Sequence, residues 1–261
     1  MKTIVMGASS GFGREFVKLL ADEKNEIIAV SNDRKGLDSL KEDVFLNRGC
    51  IIETVCRDFT VAGDLDYVCT HYTDCDLLIN SAGGGKLGGV TSLSIEEEQY
   101  YIDLNVRAFH KITKTALLKM IAKKRGAMLN VCSTASFTPL PNFSIYAATK
   151  AFAGSYTLSL SREAIKYGVK VMALCPGPTR TGFLSQAHYG LIQKKFGPLP
   201  ILMSPDKVAR GALKKFSKGK ILYIPGFINK LNYILDRISP RKLTNSIIYK
   251  MLDGLENFGD D

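Results

Sequence analysis

Tyr146-Ala-Ala-Thr-Lys150 sets a phenol and an ammonium four residues apart. On a helix the two stand on one face, one turn from each other. A free phenol has a pKa of roughly 10, too high to give or take a proton readily at neutral pH. An ammonium held close favours the phenolate and lowers that value. The pair therefore reads as a general acid/base for cellular pH. The alternative is a surface lysine beside a half-buried tyrosine, since any long helix can carry this spacing. A second stretch with chemistry is Gly7-Ala8-Ser9-Ser10-Gly11-Phe12-Gly13. Glycines let a backbone approach a pyrophosphate, and a helix following them offers free N–H groups and a positive dipole end. The spacing here is G-x-x-x-G-x-G, not G-x-G-x-x-G.

The elements that must position these residues follow from periodicity. Residues 2–6 form a short apolar strand ahead of the glycine loop, and Phe12, Phe16, Leu19 and Leu20 recur at helical spacing after it. A second strand, 26–30, ends at Ser31, Asn32, Asp33 and Arg34. A helix carrying Leu37, Leu40, Val44 and Phe45 leads to a third strand, 50–56, which runs to Asp58 and Phe59. Residues 64–72 read as a short helix. A fourth strand, 76–79, closes in Asn80-Ser81-Ala82-Gly83-Gly84-Gly85. Small residues there allow a ligand close approach at the carboxyl edge of a parallel sheet.

One long helical stretch, roughly 95–123, contains Asn105. The fifth strand, 126–131, delivers Ser133, and Pro139 and Pro141 mark a loop before the helix of Tyr146 and Lys150. The sixth strand, 169–175, runs into Pro176-Gly177-Pro178-Thr179. Ser204-Pro205 opens another helix, and 220–224 form a seventh strand. The alternation predicts an α/β fold, a doubly wound parallel sheet, in a single domain spanning 1–261.

Composition narrows the function classes. Apolar residues make up 46% of 261, enough for a substantial core. No run of 18 apolar residues occurs, so no transmembrane helix is expected. The opening apolar run is too short for a signal peptide. The six cysteines lack Cys-x-x-Cys spacing, and three lie in apolar strand-like runs. They read as reduced core thiols of a cytoplasmic protein, with no metal site. The net charge of +10 fits nucleic acid, an anionic membrane surface or an anionic cofactor. No nucleic-acid motif accompanies it, so the first is discounted.

Taken in order, Gly7 to Gly13, Asp58, Asn80-Ser81-Ala82-Gly83, Asn105, Ser133, Tyr146-x-x-x-Lys150 and Pro176-Gly177 resemble the motif set of the short-chain dehydrogenase/reductase family. The likeness runs over about 2–224. It implies a Rossmann-type fold, a nicotinamide cofactor, and hydride transfer between that cofactor and a carbonyl or alcohol. Ser133 would donate a hydrogen bond to the substrate oxygen, and Tyr146 would protonate it. Lys150 would lower the tyrosine pKa and hold the nicotinamide ribose. Asn105 would fix a water that relays protons to Lys150.

The resemblance also implies the cofactor residues. Gly7, Ser9, Ser10, Gly11, Phe12 and Gly13 form the glycine loop. Asp58, followed by Phe59, would bond the adenine amino group, and Asn80, Ala82 and Gly83 would line the adenosine side. Thr179 and Thr181, after the Pro176-Gly177 turn, are candidates for the carboxamide and diphosphate. Asn80-Ser81 stands where the family more often has two asparagines. The cofactor-choice position carries neither the usual aspartate nor the usual arginine. Ser31, Asn32 and Ser10 can donate to a 2′-phosphate, and Arg34 is close enough in sequence to swing in. Asp33, turned inward, would instead select the bare ribose. NADP(H) is favoured, with NAD(H) still open.

Substrate and tail are read last. The stretch 182–203 is the expected substrate lid, rich in Phe183, Leu184, Leu191, Ile192 and Phe196. These residues fit a lipophilic, steroid-like or acyl-chain substrate, or simple packing of the lid on the core. The expected helical tail, about 227–254, combines Leu231, Ile234, Leu235, Ile238, Leu243, Ile247, Ile248 and Leu252 with Lys230, Arg237, Arg241, Lys242 and Lys250. It fits a basic amphipathic pair at a membrane surface or partner. It also fits a helix packed on its own domain, the commoner arrangement. The expected protein is a cytoplasmic, homo-oligomeric oxidoreductase for a small apolar carbonyl or alcohol. Two other readings are a catalytically silent dinucleotide sensor and a peripheral membrane protein on the same fold. An intact Ser133–Tyr146–Lys150 set argues against the sensor.

Overall fold

A computed structural model of the chain describes residues 1–183, 202–239, 246 and 248–250. The remainder of the expected lid and tail lies outside the described residues, including Leu184, Leu191, Ile192, Phe196, Leu243, Ile247 and Leu252.

Strand β1 (Lys2–Met6) is buried from its second residue onward. Such a strand needs cover on both faces, which a parallel sheet with helical crossovers supplies. Five further strands follow, β2 (Glu26–Ser31), β3 (Glu53–Cys56), β4 (Leu77–Asn80), β5 (Gly126–Val131) and β6 (Val169–Leu174), and β7 (Leu222–Tyr223) completes the sheet. Every pairing is parallel, in the order β3-β2-β1-β4-β5-β6-β7. The chain winds outward from β1 to β3, then returns to β4 and winds the other way. The topological switch therefore lies between β1 and β4, where open α/β sheets bind ligands. Two expected strands are shorter than their apolar runs: the third starts at Glu53, not Cys50, and the seventh has two residues.

Helices α1 (Gly11–Leu20) and α2 (Arg34–Arg48) cover one face of the sheet, with α7 (Pro205–Ser217). Phe16, Val17, Leu37, Leu40, Val208 and Phe216 pack there around Val5 and Ile79. Helices α3 (Ala62–His71), α5 (Phe109–Ala122) and α6 (Ser144–Ala164) cover the other face. Leu65, Val68, Ile112, Met120 and Leu160 pack there on Ile4, Met6 and Met128. The alternation Ile4, Met6 against Val5 is the period-2 signature of a strand buried on both sides.

The long helix expected over 95–123 is interrupted. It is α4 (Ile95–Ile102), then a π-helical turn Asp103–Ala108 that carries Asn105, then α5. The capping box of Ser94 and Glu97 fixes the start of α4. A last helix, α8 (Phe227–Ile238), has no buried residue. Over Phe227–Ile238 most of the apolar stripe faces solvent, while Leu235 and Ile248 line the cavity, and most of 240–254 lies outside the described residues. Phe227, Ile228, Leu231, Ile234, Leu235 and Ile238 are all exposed.

Candidate active site

The carboxyl ends of the strands deliver the chemistry-bearing residues to one cavity of about 1220 Å³. At one end lies the turn between β1 and α1. Gly7 has φ +73°, and a Cβ there would sit 2.7 Å from the backbone of Ala82. Only glycine lets the loops after β1 and β4 meet at the switch point. Ser10 precedes α1 with extended backbone and makes no side-chain cap, and the first turn holds no acid. The orphan N–H groups of that turn thus remain for an anion. The Ser9 hydroxyl lies 2.9 Å from that of Ser31, tying the glycine loop to the end of β2.

Beyond Ser31 the wall is Asn32, Arg57, Asp58 and Phe59. Burial pushes the Asp58 carboxyl upward, but bonds from the Thr60 N–H (2.9 Å) and hydroxyl (2.7 Å) and from Asn32 (3.3 Å) outweigh it. The net shift is downward, so Asp58 is a firm carboxylate. Asp33 accepts from the Gly36 N–H at 3.0 Å and caps α2. Asp33 also lines the cavity. Arg34, the first residue of α2, is exposed and does not line the cavity. The cationic wall residue is Arg57. It bonds the Cys56 carbonyl at 2.9 Å and lies 3.4 Å from an Asp64 carboxylate oxygen and 4.7 Å above the Tyr67 ring. The Asp64 contact is made by Nε, which donates no hydrogen bond among the described residues.

At the other end stand Ser133, Tyr146 and Lys150. Ser133 follows β5 and starts a short 3-10 turn; its oxygen accepts from the Ala135 N–H at 3.1 Å, leaving its proton to donate. Burial pushes the Tyr146 phenol up to about 12, while the neighbouring Ser133 hydroxyl pulls it down. Lys150 is 6% exposed, donates to the Val131 carbonyl at 3.3 Å, and lies 5.8 Å from the Tyr146 ring centre. Burial lowers its own pKa. Desolvation is the largest influence on both groups.

The small residues after β4 have a physical reason. A Cβ on Gly83 would sit 2.9 Å from the Lys150 ammonium, and one on Gly85 2.6 Å from the Tyr146 ring. The loop is seated against Lys150 and Tyr146, not loose. Asn105 holds it there. Its amide accepts from Gly84 N–H at 3.0 Å and donates to the Gly84 carbonyl at 2.8 Å and to Thr149 at 3.1 Å. Asn105 is buried outside the cavity wall, as are Asn80 and Gly13. Asn80 donates to Thr113 at 3.4 Å, and its buried oxygen has no hydrogen-bond partner among the described residues. Gly13 packs against the Gly7 backbone.

Pro176, Gly177, Thr179 and Thr181 line the cavity, as do Gly11, Phe12, Ala82 and Gly83. Thr179 also pairs with Met203, so residues 202–204 return beside 178–180. The lining also includes the apolar Leu87, Leu104, Phe137, Leu140, Phe143 and Phe183 beside polar residues such as Thr138 and Asn232. Phe143 stacks on the Tyr146 ring at 4.3 Å, and Phe183 lies 5.2 Å away.

Several wall residues escape sequence reasoning: Arg57, Tyr100, Tyr101, and Asn229, Tyr233 and Asp236 of α8. The signal for the last three is a polar i, i+4, i+7 series inside an apolar helix. Arg57 could be found as the neighbour of Asp58 on the same strand end. The arrangement can bind a long anionic ligand at the glycine-loop end and exchange a proton at the Tyr146 end.

Known proteins are similar to this chain in sequence and in fold. Residues 2–190 match the family model described as short chain dehydrogenase. An uncharacterized oxidoreductase of Staphylococcus epidermidis is 28% identical over 191 residues, covering 72% of this chain and 81% of that protein. The structure of a short-chain dehydrogenase from Sphingobium yanoikuyae in complex with NADPH is similar at TM-score 0.81 and 26% identity, over 97% of this chain and 95% of that one. A bulky-bulky ketone specific alcohol dehydrogenase from Comamonas testosteroni shares the fold at TM-score 0.77 and 24% identity, over 94% and 93%. The chain belongs to the short-chain dehydrogenase family, and it is an oxidoreductase acting on CH–OH or C=O groups.

Proposed function

We propose that the protein is an NADP(H)-dependent carbonyl reductase or alcohol dehydrogenase for an apolar substrate, with Tyr146 as its general acid/base. One observation carries this reading. Ser133, Tyr146 and Lys150 converge on one end of a cavity whose other end is the open α1 turn. The residues fit a nicotinamide dinucleotide. Gly7 leaves no side chain over the turn, the first N–H groups of α1 have no internal partner, and Asp58 and Asn32 stand where an adenosine would lie. When bound, the cofactor supplies or accepts a hydride.

The chain's own residues do the rest. The Ser133 proton points a hydrogen bond at the substrate oxygen, where negative charge develops in reduction. Tyr146, held protonated by burial, delivers a proton to that same oxygen. In oxidation the same phenolate takes it back. The Lys150 ammonium, at the Gly83 loop, stabilises that phenolate and would hold the nicotinamide ribose. Phe143, Phe183 and Leu140 exclude water and accept an apolar carbonyl.

For the 2′-phosphate, Arg57 in the cavity wall takes the role expected of Arg34, which faces solvent. The NADPH complex of the Sphingobium yanoikuyae relative supports the same choice. The test is consumption of NADPH and NADH with a panel of ketosteroids, quinones and aliphatic ketones. Turnover of apolar ketones with NADPH supports the reading. Tight dinucleotide binding without turnover of any carbonyl supports a silent sensor instead.

A further inference from the structure

Helix α8 has two opposed faces. Asn229, Tyr233 and Asp236 recur at i, i+4, i+7 and line the cavity. Phe227, Leu231, Ile234 and Ile238 recur at i, i+4, i+7, i+11 on the opposite side, 80%, 43%, 53% and 73% exposed. The usual arrangement, apolar side inward, is reversed. Contiguous apolar surface of this kind marks an interaction site. Lys230 and Arg237, seven residues apart, run along one border of the apolar face. The chain as a whole carries +10.

We propose that the outer face of α8 docks on an anionic phospholipid bilayer. An interfacial helix needs an apolar face that enters the headgroup boundary and basic residues at its border that meet lipid phosphates. Lys and Arg stems also lie along apolar surface while their charged heads stay in water. Charge complementarity selects this occupant over a second copy of the chain. A two-fold interface through α8 would set the Lys230–Arg237 border against a patch of the same sign. Anionic headgroups meet it with the opposite sign. Because the other side of α8 is cavity wall, docking sets the cavity beside the bilayer, the place where an apolar ketone or alcohol is concentrated.

The test uses the full chain with vesicles of phosphatidylcholine alone and of roughly two-to-one phosphatidylcholine and phosphatidylserine. The unmodified protein should sediment with the mixed vesicles about tenfold more than with the neutral ones, and raised salt should weaken this. Leu231→Glu/Ile234→Glu should abolish sedimentation while NADPH affinity stays unchanged, which also verifies folding. Lys230→Glu/Arg237→Glu should remove the preference for phosphatidylserine. Failure of the unmodified protein to sediment overturns the proposal, as does a Leu231→Glu/Ile234→Glu variant that sediments equally well. Light scattering that finds a dimer dissociated by the same variant gives the face to a second copy and also overturns it. None of these outcomes depends on turnover, so the assigned reaction stands or falls separately.

Discussion

At the level of single residues, the meeting of Ser133, Tyr146 and Lys150 was legible in the sequence because it needs fixed spacing on one helix and one strand end. Tyr146, Lys150 and Ser133 meet where the motif order implied. Their electrostatics were not legible, since burial is a property of the whole fold. With the phenol pushed up to about 12 by burial, the proton donor for carbonyl reduction is present across the neutral range. Reduction should therefore hold level from pH 6 to 9. Alcohol oxidation needs the phenolate and should rise by up to about tenfold per pH unit over that range. Oxidation that is level over the same range, measured as kcat/KM, contradicts the assignment. Arg34 is close to Ser31 in sequence but starts α2 facing solvent, whereas Arg57 reaches the wall from the neighbouring strand. Arg57→Ala should weaken NADPH binding about tenfold, or about 1.4 kcal/mol, and NADH far less. Arg34→Ala should leave the ratio of the two dissociation constants unchanged. Fluorescence titration with each dinucleotide gives both ratios, and the reverse ranking returns the phosphate to Arg34.

Among the elements, strands and most helices were readable from periodicity, since two-sided burial leaves unbroken apolar runs such as Ile4-Val5-Met6. Two features were not. The π turn at Asp103–Ala108 has no distinctive composition, and π turns often mark functional sites. Here it carries an asparagine whose amide holds both polar groups of Gly84. Asn105→Ala leaves those buried groups unpaired and should cost about 1–3 kcal/mol of stability. It should also loosen the loop against Lys150 and Tyr146, lowering kcat. A melting temperature and kcat equal to the unmodified protein's would refute that role. The second feature is the direction of α8. Periodicity gives the stripe but not which way it faces, and the polar series Asn229, Tyr233, Asp236 claims the inner side.

Over the whole molecule, winding outward from β1 and back to β4 makes a crevice that no single motif contains. Gly7 and Ala82 close its floor, and Gly7→Ala forces a left-handed φ and a backbone clash. That should cost about 1–3 kcal/mol and weaken dinucleotide binding together with it, checked by thermal unfolding with and without NADPH. A Gly7→Ala protein that keeps both properties would mean the two loops can part without loss. The crevice joins an anion-binding end to a proton-exchanging end, and the assigned reaction needs both at once. The most direct measurement is a paired one on Tyr146→Phe: the NADPH dissociation constant, and the rate of NADPH consumption with a ketone that the unmodified protein reduces. The substitution removes the proton donor and almost no volume. The expected result is a dissociation constant within about twofold of the unmodified protein's and a rate lower by a factor on the order of 10²–10⁴. A folded Tyr146→Phe protein that turns over at close to the unmodified rate contradicts the assignment of Tyr146 as the acid/base.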